Sequence, residues 1–290
     1  MIDSAEFVNV NGDTIDLNDN EIPFRVFDTY VDYRSEDVER QRDHGLFPVE
    51  TFLGKRMFEI EGDILQATAG TYITKRRALQ RALMPYPALG ERKIGNLYLQ
   101  LTDVTERMFA EVTIEGRPSI PMEALAPARG SYQILFKAHD PRLYGETLRT
   151  QDVEYTTADL GFTFPLTFPL VFNEGGLTGS EDLINGGDFE TFPTTTVSGP
   201  LTSPWELQLL DSNGVKVLRF NGLSLTSDQE VEIDHRARTA VLNGTTNVYS
   251  YAVGSDWWAL PAGTTPVRLW AFEGASPAKA TFTWRYAYMI

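Results

Sequence analysis

The chain has 290 residues, 42% of them hydrophobic and 22% charged, which is ordinary globular usage, excludes a disordered chain, and gives enough length for two domains with their own cores. The net charge of −15 divides into 18 basic and 24 acidic residues over 1–150 and 7 basic and 16 acidic over 151–290, so neither half is expected to grip the phosphates of a nucleic acid. Cysteine is absent and histidine is confined to His44, His139 and His235, which removes disulfides, thiol nucleophiles and zinc spacing, so no metal or cofactor is expected.

The N-terminus, MIDSAEFVNVNGD, is acidic without a continuous apolar core and does not read as a secretory signal. No apolar run reaches the roughly 18 to 20 residues of a spanning helix, so no membrane insertion is expected. Glu6 to Val10 and Thr14 to Leu17 flank Asn11-Gly12-Asp13, the outline of a hairpin. Phe24 to Tyr33 is rich in aromatic and β-branched residues, and in Lys55 to Leu65 Phe58, Ile60 and Gly62 alternate with Glu59, Glu61 and Asp63. A period of two gives that strand one apolar and one acidic face. Thr71 to Met84 reads as the one helix: Ile73, Leu79, Ala82 and Leu83 form a stripe, a Thr at 71 or 74 is placed to cap it, and Pro85 with Pro87 stops it. Strands are predicted again at Asn96 to Thr102, Met108 to Glu115 and Gly130 to Ala138. Residues 1–155 therefore read as a β-sheet domain packed by one helix.

From Thr156 to Asn173 the chain reads TTADLGFTFPLTFPLVFN. Pro165 and Pro169 cannot donate to a ladder and fix their own φ, so the segment reads as an extended connector rather than an interior strand or a helix. Residues 174–290 are cut by Gly-rich turns, at Asn173-Glu174-Gly175-Gly176, Asn185-Gly186-Gly187, Asn213-Gly214, Asn221-Gly222 and Asn243-Gly244. Between them lie the short segments Trp205 to Leu210, Val215 to Phe220, Glu230 to Asp234, Thr239 to Leu242 and Val267 to Ala271, and AKATFTWRYAYMI ends the chain. This spacing predicts a β-sandwich or jelly roll without helices. The stretch 183–204 reads as a long loop or inserted hairpin without a place in that pattern.

Chemistry has little purchase on these residues. There is no GxxxxGK[ST], no GxSxG and no cysteine, and neither Asp256 nor Asp234 beside His235 has a second carboxylate that marks a glycosidase pair. All five tryptophans, Trp205, Trp257, Trp258, Trp270 and Trp284, fall in the second domain. Adjacent Trp257 and Trp258 either pack the core or offer a stacking face to a sugar.

DHGLFPVETFLGKRMFEIEGDI, the TKRRALQRALMP helix, AHDPRLYG and the FTFPLTFPLVFN connector, followed by ELQLLDSNGVKVLRFNG, SLTSDQEVEIDHRARTAVLNGTT and SDWWALPAGTTPVRLWA, resemble in this order the distal tail proteins of long, flexible-tailed bacteriophages. The resemblance implies a mostly β chain with an N-terminal ring-forming domain and a C-terminal galectin-like β-sandwich. It implies no enzyme but a structural component of the virion tail tip, made in the host cytoplasm. The ring, expected to be a hexamer, would join the tail tube protein to a hub or tape-measure protein and to receptor-binding proteins outside. On that reading Glu59, Glu61 and Asp63 either line an acidic channel that DNA slides through or form a solvated sheet face. Arg76, Arg77 and Arg81 either top a core-packing helix or reach a neighbouring subunit. The alternative function is a carbohydrate-binding module using Trp257 and Trp258.

Overall fold

The computed structural model describes residues 2–35, 38–39, 46–47, 51–66, 68–83, 95–102, 104–121, 129–155, 180–212, 214–274 and 277–289. The chain divides into two compact units, Met1–Glu146 with Met289–Ile290, and Thr147–Tyr288. The sequence expectation set the first boundary at 155. Residues 149–154 instead form a strand in the second unit, because their backbone pairs with Lys279–Trp284 throughout. The expected Phe/Pro connector, 156–173, lies outside the described residues, as do the turn at 173–176 and the prolines after the helix.

The first unit contains strands β1 (Ile2–Val8), β2 (Thr14–Asp16), β3 (Phe24–Arg34), β4 (Val38–Glu39), β5 (Leu46–Phe47), β6 (Phe52–Leu65), β7 (Gly95–Leu101), β8 (Met108–Ile114), β9 (Arg129–Ala138) and β10 (Leu143–Gly145), and helix α1 (Ala69–Ala82). The order across the main sheet is β2-β1-β7-β8-β9-β6-β3, with β10 beside β8 and β4-β5 a separate ribbon. Alternation does the sorting. In β7 Leu97, Leu99 and Leu101 are buried, in β9 Tyr132, Ile134 and Phe136, and in β6 Phe58, Ile60 and Ile64, each set spaced by two along its strand. The sheet coils strongly enough that Phe7 of β1 and Phe136 of β9 approach to 4.9 Å between ring centres. Gly95 makes room for this curl, since a Cβ there would lie 2.5 Å from the Phe7 ring.

Helix α1 packs on β6 and β2 and buries Tyr72, Leu79, Ala82 and Leu83. Two details differ from the sequence expectation. The cap is Thr68, whose hydroxyl accepts from the Thr71 backbone while the Thr71 side chain answers to the Thr68 amide, so Thr71 sits three residues inside the helix. The buried stripe runs through Tyr72 rather than Ile73, which is 40% exposed, because residues 72, 79 and 83 share one face at 3.6 residues per turn and 73 lies about a quarter turn away.

The second unit contains β11 (Arg149–Glu154), β12 (Ser180–Asn185), β13 (Thr194–Ser198), β14 (Leu201–Asp211), β15 (Gly214–Phe220), β16 (Glu230–Asp234), β17 (Thr239–Leu242), β18 (Thr246–Asn247), β19 (Gly263–Gly274), β20 (Lys279–Trp284) and β21 (Ala287–Tyr288), with a 3-10 turn at Tyr249–Tyr251. They form a six-stranded sheet, β11-β20-β13-β16-β17-β18, and a four-stranded sheet, β12-β19-β14-β15. One core lies between them, with Trp205, Trp258, Phe220 and Phe282 its largest fully buried side chains. This is the β-sandwich that the turn spacing predicts. The 183–204 stretch is not an insertion: it supplies the end of β12, all of β13 and the start of β14, one strand in each sheet and a third beginning. The Asn243-Gly244 turn is as expected, both residues at positive φ, 48° and 68°, as the central pair of a type I′ turn closed by the Thr245 amide on the Leu242 carbonyl demands.

Candidate functional site

The three acids of β6 emerge on the outer face of the first unit's sheet. Glu59 and Glu61 flank one donor, the Gln133 side-chain amide of β9, at 2.8 and 2.9 Å, and Asp63 pairs with Arg25 of β3 at 3.1 Å. Register puts Asp28 opposite Glu59 and Val26 opposite Glu61. The row is therefore partly satisfied within the sheet, and Arg25, Glu61, Ser119, Ser131, Tyr132 and Gln133 line a shallow polar groove of about 150 Å³ at its end. Burial of Tyr132 under Gly62 pushes its phenol well above the ordinary tyrosine range, with the nearby carboxylates of Asp63 and Asp19 adding to the shift.

The helix arginines split into two kinds. Arg76 is tied to its own unit, donating Nε and Nη2 to the Ile120 carbonyl at 3.2 and 2.8 Å and Nη1 to Gln80 at 3.3 Å. Arg77 and Arg81 are exposed and make no hydrogen bond or ion pair among the described residues. With exposed Ile73 they fall at i, i+4 and i+8, one stripe along the outer side of α1. Lys75 beside them is engaged, held by Glu21 at 2.5 Å and Asp19 at 3.3 Å, contacts that raise its pKa.

Trp257 and Trp258 go to different environments. Trp258 is 2% exposed, against Phe282 at 6.0 Å and the His235 ring at 4.2 Å between centres. Trp257 is half-buried and stacks on exposed Tyr249 at 5.7 Å with 14° between planes. His235 is itself buried, with Nε2 3.2 Å from the Thr195 hydroxyl and Nδ1 without a partner. Burial lowers its pKa to about 4, against smaller opposing effects of the Trp258 backbone and Asp234. Asp234 is occupied as a turn former, accepting from the Arg236 and Ala237 amides at 2.8 Å each, and Asp256 clasps the edge of β15 through Val217. Neither aspartate faces a second carboxylate in a cleft, and among the described residues no group of three or more acidic or histidine side chains is placed to hold a metal. No helix among them is long and apolar enough to cross a membrane.

One cluster escapes the sequence reading. On the outer face of the four-stranded sheet, Glu206 and Gln208 of β14 lie between Arg219 of β15 and Trp270 and Arg268 of β19. Its signal is the alternation in Trp205-Glu206-Leu207-Gln208-Leu209, where polar residues interrupt a strand whose other face is all core.

Residues 186–288 match the family model of the siphovirus-type tail component, C-terminal domain. No curated protein matches the chain in sequence. Among solved structures, the crystal structure of Dit (gp 19.1) of phage SPP1, described as a paradigm of the hub adsorption apparatus in phages infecting Gram-positive bacteria, is 15% identical, with 98% of each chain covered and a TM-score of 0.62. Components of the phage P2 baseplate in its activated conformation with calcium and with strontium are each 11% identical over 97% of both chains, at TM-scores of 0.46 and 0.45. The likeness to SPP1 Dit extends over both units, so it carries the fold of the whole chain. The family-model match over 186–288 and the likeness of fold over both units support the resemblance to the distal tail protein family.

Proposed function

We propose that the protein is a non-enzymatic structural component of a phage tail tip, a ring of copies, six by analogy with the family, that joins the tail tube to the adsorption apparatus. The observation that carries this reading is the correspondence of the entire two-unit chain with a hub protein, together with a tail-component domain in the second unit. In the ring the first units make head-to-tail contacts around a channel and the galectin-like second units face outward. Partners are further copies, the tail tube protein, a hub or tape-measure protein and receptor-binding proteins, with the virion as the site of action. Two surface features support a heterologous contact between copies: the unpaired stripe Ile73, Arg77 and Arg81 on α1, and the exposed edge strand β3 with Val26 at 46% and Tyr30 at 47% exposure beside Asp28. A cationic stripe and an edge strand that presents Asp28 between Val26 and Tyr30 are surfaces that can meet head to tail in a closed ring. Glu59, Glu61 and Asp63 are assigned to the channel wall, where like charge repels passing DNA.

Gold-labelled antibody raised against the chain tests the assignment on intact particles. Label at the distal end of the tail is expected; label on the capsid, or on no particle, contradicts it. The second reading, sugar stacking on Trp257 and Trp258, gains nothing from their geometry, because Trp258 is in the core and Trp257 has one face covered by Tyr249.

A further inference from the structure

The outer face of the four-stranded sheet carries two cross-strand rows, Trp270–Glu206–Arg219 and Arg268–Gln208–Val217. Directly paired residues on one face have Cβ atoms about 5 Å apart, so each row is a contiguous strip. Glu206 is 4% and Gln208 9% exposed even though both point outward, because the guanidiniums on either side lie over them. Arg219 holds Glu206 Oε1 with Nε and Nη2 at 2.5 Å. The Gln208 amide donates to the other carboxylate oxygen at 2.6 Å, and Arg268 donates Nε at 3.1 Å and also Nη2 to the Gln208 carbonyl oxygen.

This wiring decides what the face offers. Both oxygens of Glu206 and the acceptor of Gln208 are in use, whereas the Nη1 group of Arg219 and that of Arg268 have no acceptor among the described residues. The free groups are therefore donors, fixed in direction by the network behind them, and preorganised donors lose little freedom when they bind. Trp270, paired directly with Glu206, is half-buried and in no ring contact among the described residues. Two of only 7 basic residues in 151–290 stand on this face, balanced by Glu206 and by exposed Asp182 of β12, one pair along from the partner of Arg268, so what the site offers is set by where its free donors point. An indole face takes the apolar side of a sugar ring, and guanidinium forks take carboxylate, sulfate or phosphate oxygens.

We propose that this sheet face binds an acidic saccharide, with a sugar ring on Trp270 and its anionic substituent on Arg219 and Arg268. Trp270 and Arg219 are two strand spacings apart, about 10 Å, so a substituent of a ring on Trp270 comes within reach of the guanidiniums. The full-length protein is tested on an array of uronate-, sulfate- and phosphate-bearing oligosaccharides beside neutral ones, with inorganic polyphosphate as an anion lacking a sugar, and hits are titrated by tryptophan fluorescence. Binding confined to acidic saccharides is expected, weakened at least tenfold by Trp270→Ala and by Arg268→Ala and unchanged by Lys279→Ala in the opposite sheet. Should Trp270→Ala fail to fold, Arg268→Ala carries the test, since it leaves only a neutral amide unpaired. No binding to any acidic member, equal binding of polyphosphate, or binding indifferent to both substitutions overturns the proposal. None of these results bears on ring formation, so the two readings stand or fall separately.

Discussion

His235 concentrates the most chemistry of any single residue in the second unit. Its imidazole is neutral in the fold because burial against Trp258 disfavours the second proton more than the Trp258 backbone and Asp234 favour it. The folded pKa of about 4 lies below the ordinary 6.5 of an unfolded chain, so the unfolded state binds more protons between those values. Stability of the second unit is then full above pH 6.5 and falls as pH drops toward 4, by about 3 kcal/mol across that window. All five tryptophans lie between residues 205 and 284, so fluorescence-monitored denaturation reports this unit alone. Urea midpoints that decline from pH 7 to pH 5 are expected, with the decline flattened in His235→Phe; a wild-type midpoint constant over that range contradicts the buried neutral histidine. The tryptophan neighbours separate in the same assay. Trp258→Ala leaves a large cavity and should cost about 3 to 5 kcal/mol, whereas Trp257→Ala loses mainly one aromatic stack, about 1 kcal/mol.

At the level of elements, the ends and edges are where local chemistry decides. Thr68 closes the first turn of α1, so Thr68→Ala should lower the calorimetric stability of the first unit by about 1 kcal/mol. Thr74→Ala, which loses only a bond back to the Gly70 carbonyl at 3.0 Å on an exposed surface, should change it by a few tenths at most. The Thr68 cap was hard to see because Thr71 and Thr74 are equally plausible caps in TAGTYIT, and a start at Thr71 leaves out the turn that holds Thr68. Strand β6 was legible because its alternation is strict. Its acids contribute little to the fold: the Arg25–Asp63 pair has side chains 58% and 33% exposed, and such pairs are worth at most about 1 kcal/mol. Replacing Glu59, Glu61 and Asp63 by Gln, Gln and Asn should leave melting nearly unchanged and increase retention of DNA by assembled particles. Unaltered DNA passage in that triple variant would remove these residues from the channel wall. The exposed edge of β15 shows a different device, where Ser255 and Asp256 occupy its ladder positions at Arg219 and Val217 and so block strand addition there.

The whole molecule was legible where period and punctuation agree. Strands β16 and β17 coincide with the expected segments because Val231 and Ile233 alternate with acids along β16, the 235–238 turn pairs it with β17, and Asn243-Gly244 ends β17. Strands β11, β12 and β13 were missed: RTQDVE and SEDLIN put acids on the outward side of edge strands, and TTTVS sits between prolines at 193 and 200, which read as loop. What makes them strands is a partner far away in sequence, Lys279–Trp284 for β11 and β13 and Gly263–Arg268 for β12, a long-range pairing that no local window contains. The lattice around Glu206 was invisible for the same reason, since Arg219 and Arg268 reach it only through register. Assembly is the property that neither unit displays alone. The most direct measurement is the mass and symmetry of the purified protein, by light scattering at several concentrations followed by negative-stain class averages. A closed oligomer with an open centre and six-fold averages is the predicted result, dispersed by Arg77→Glu with Arg81→Glu; a monomer at every concentration, with no rings in the images, would contradict the account.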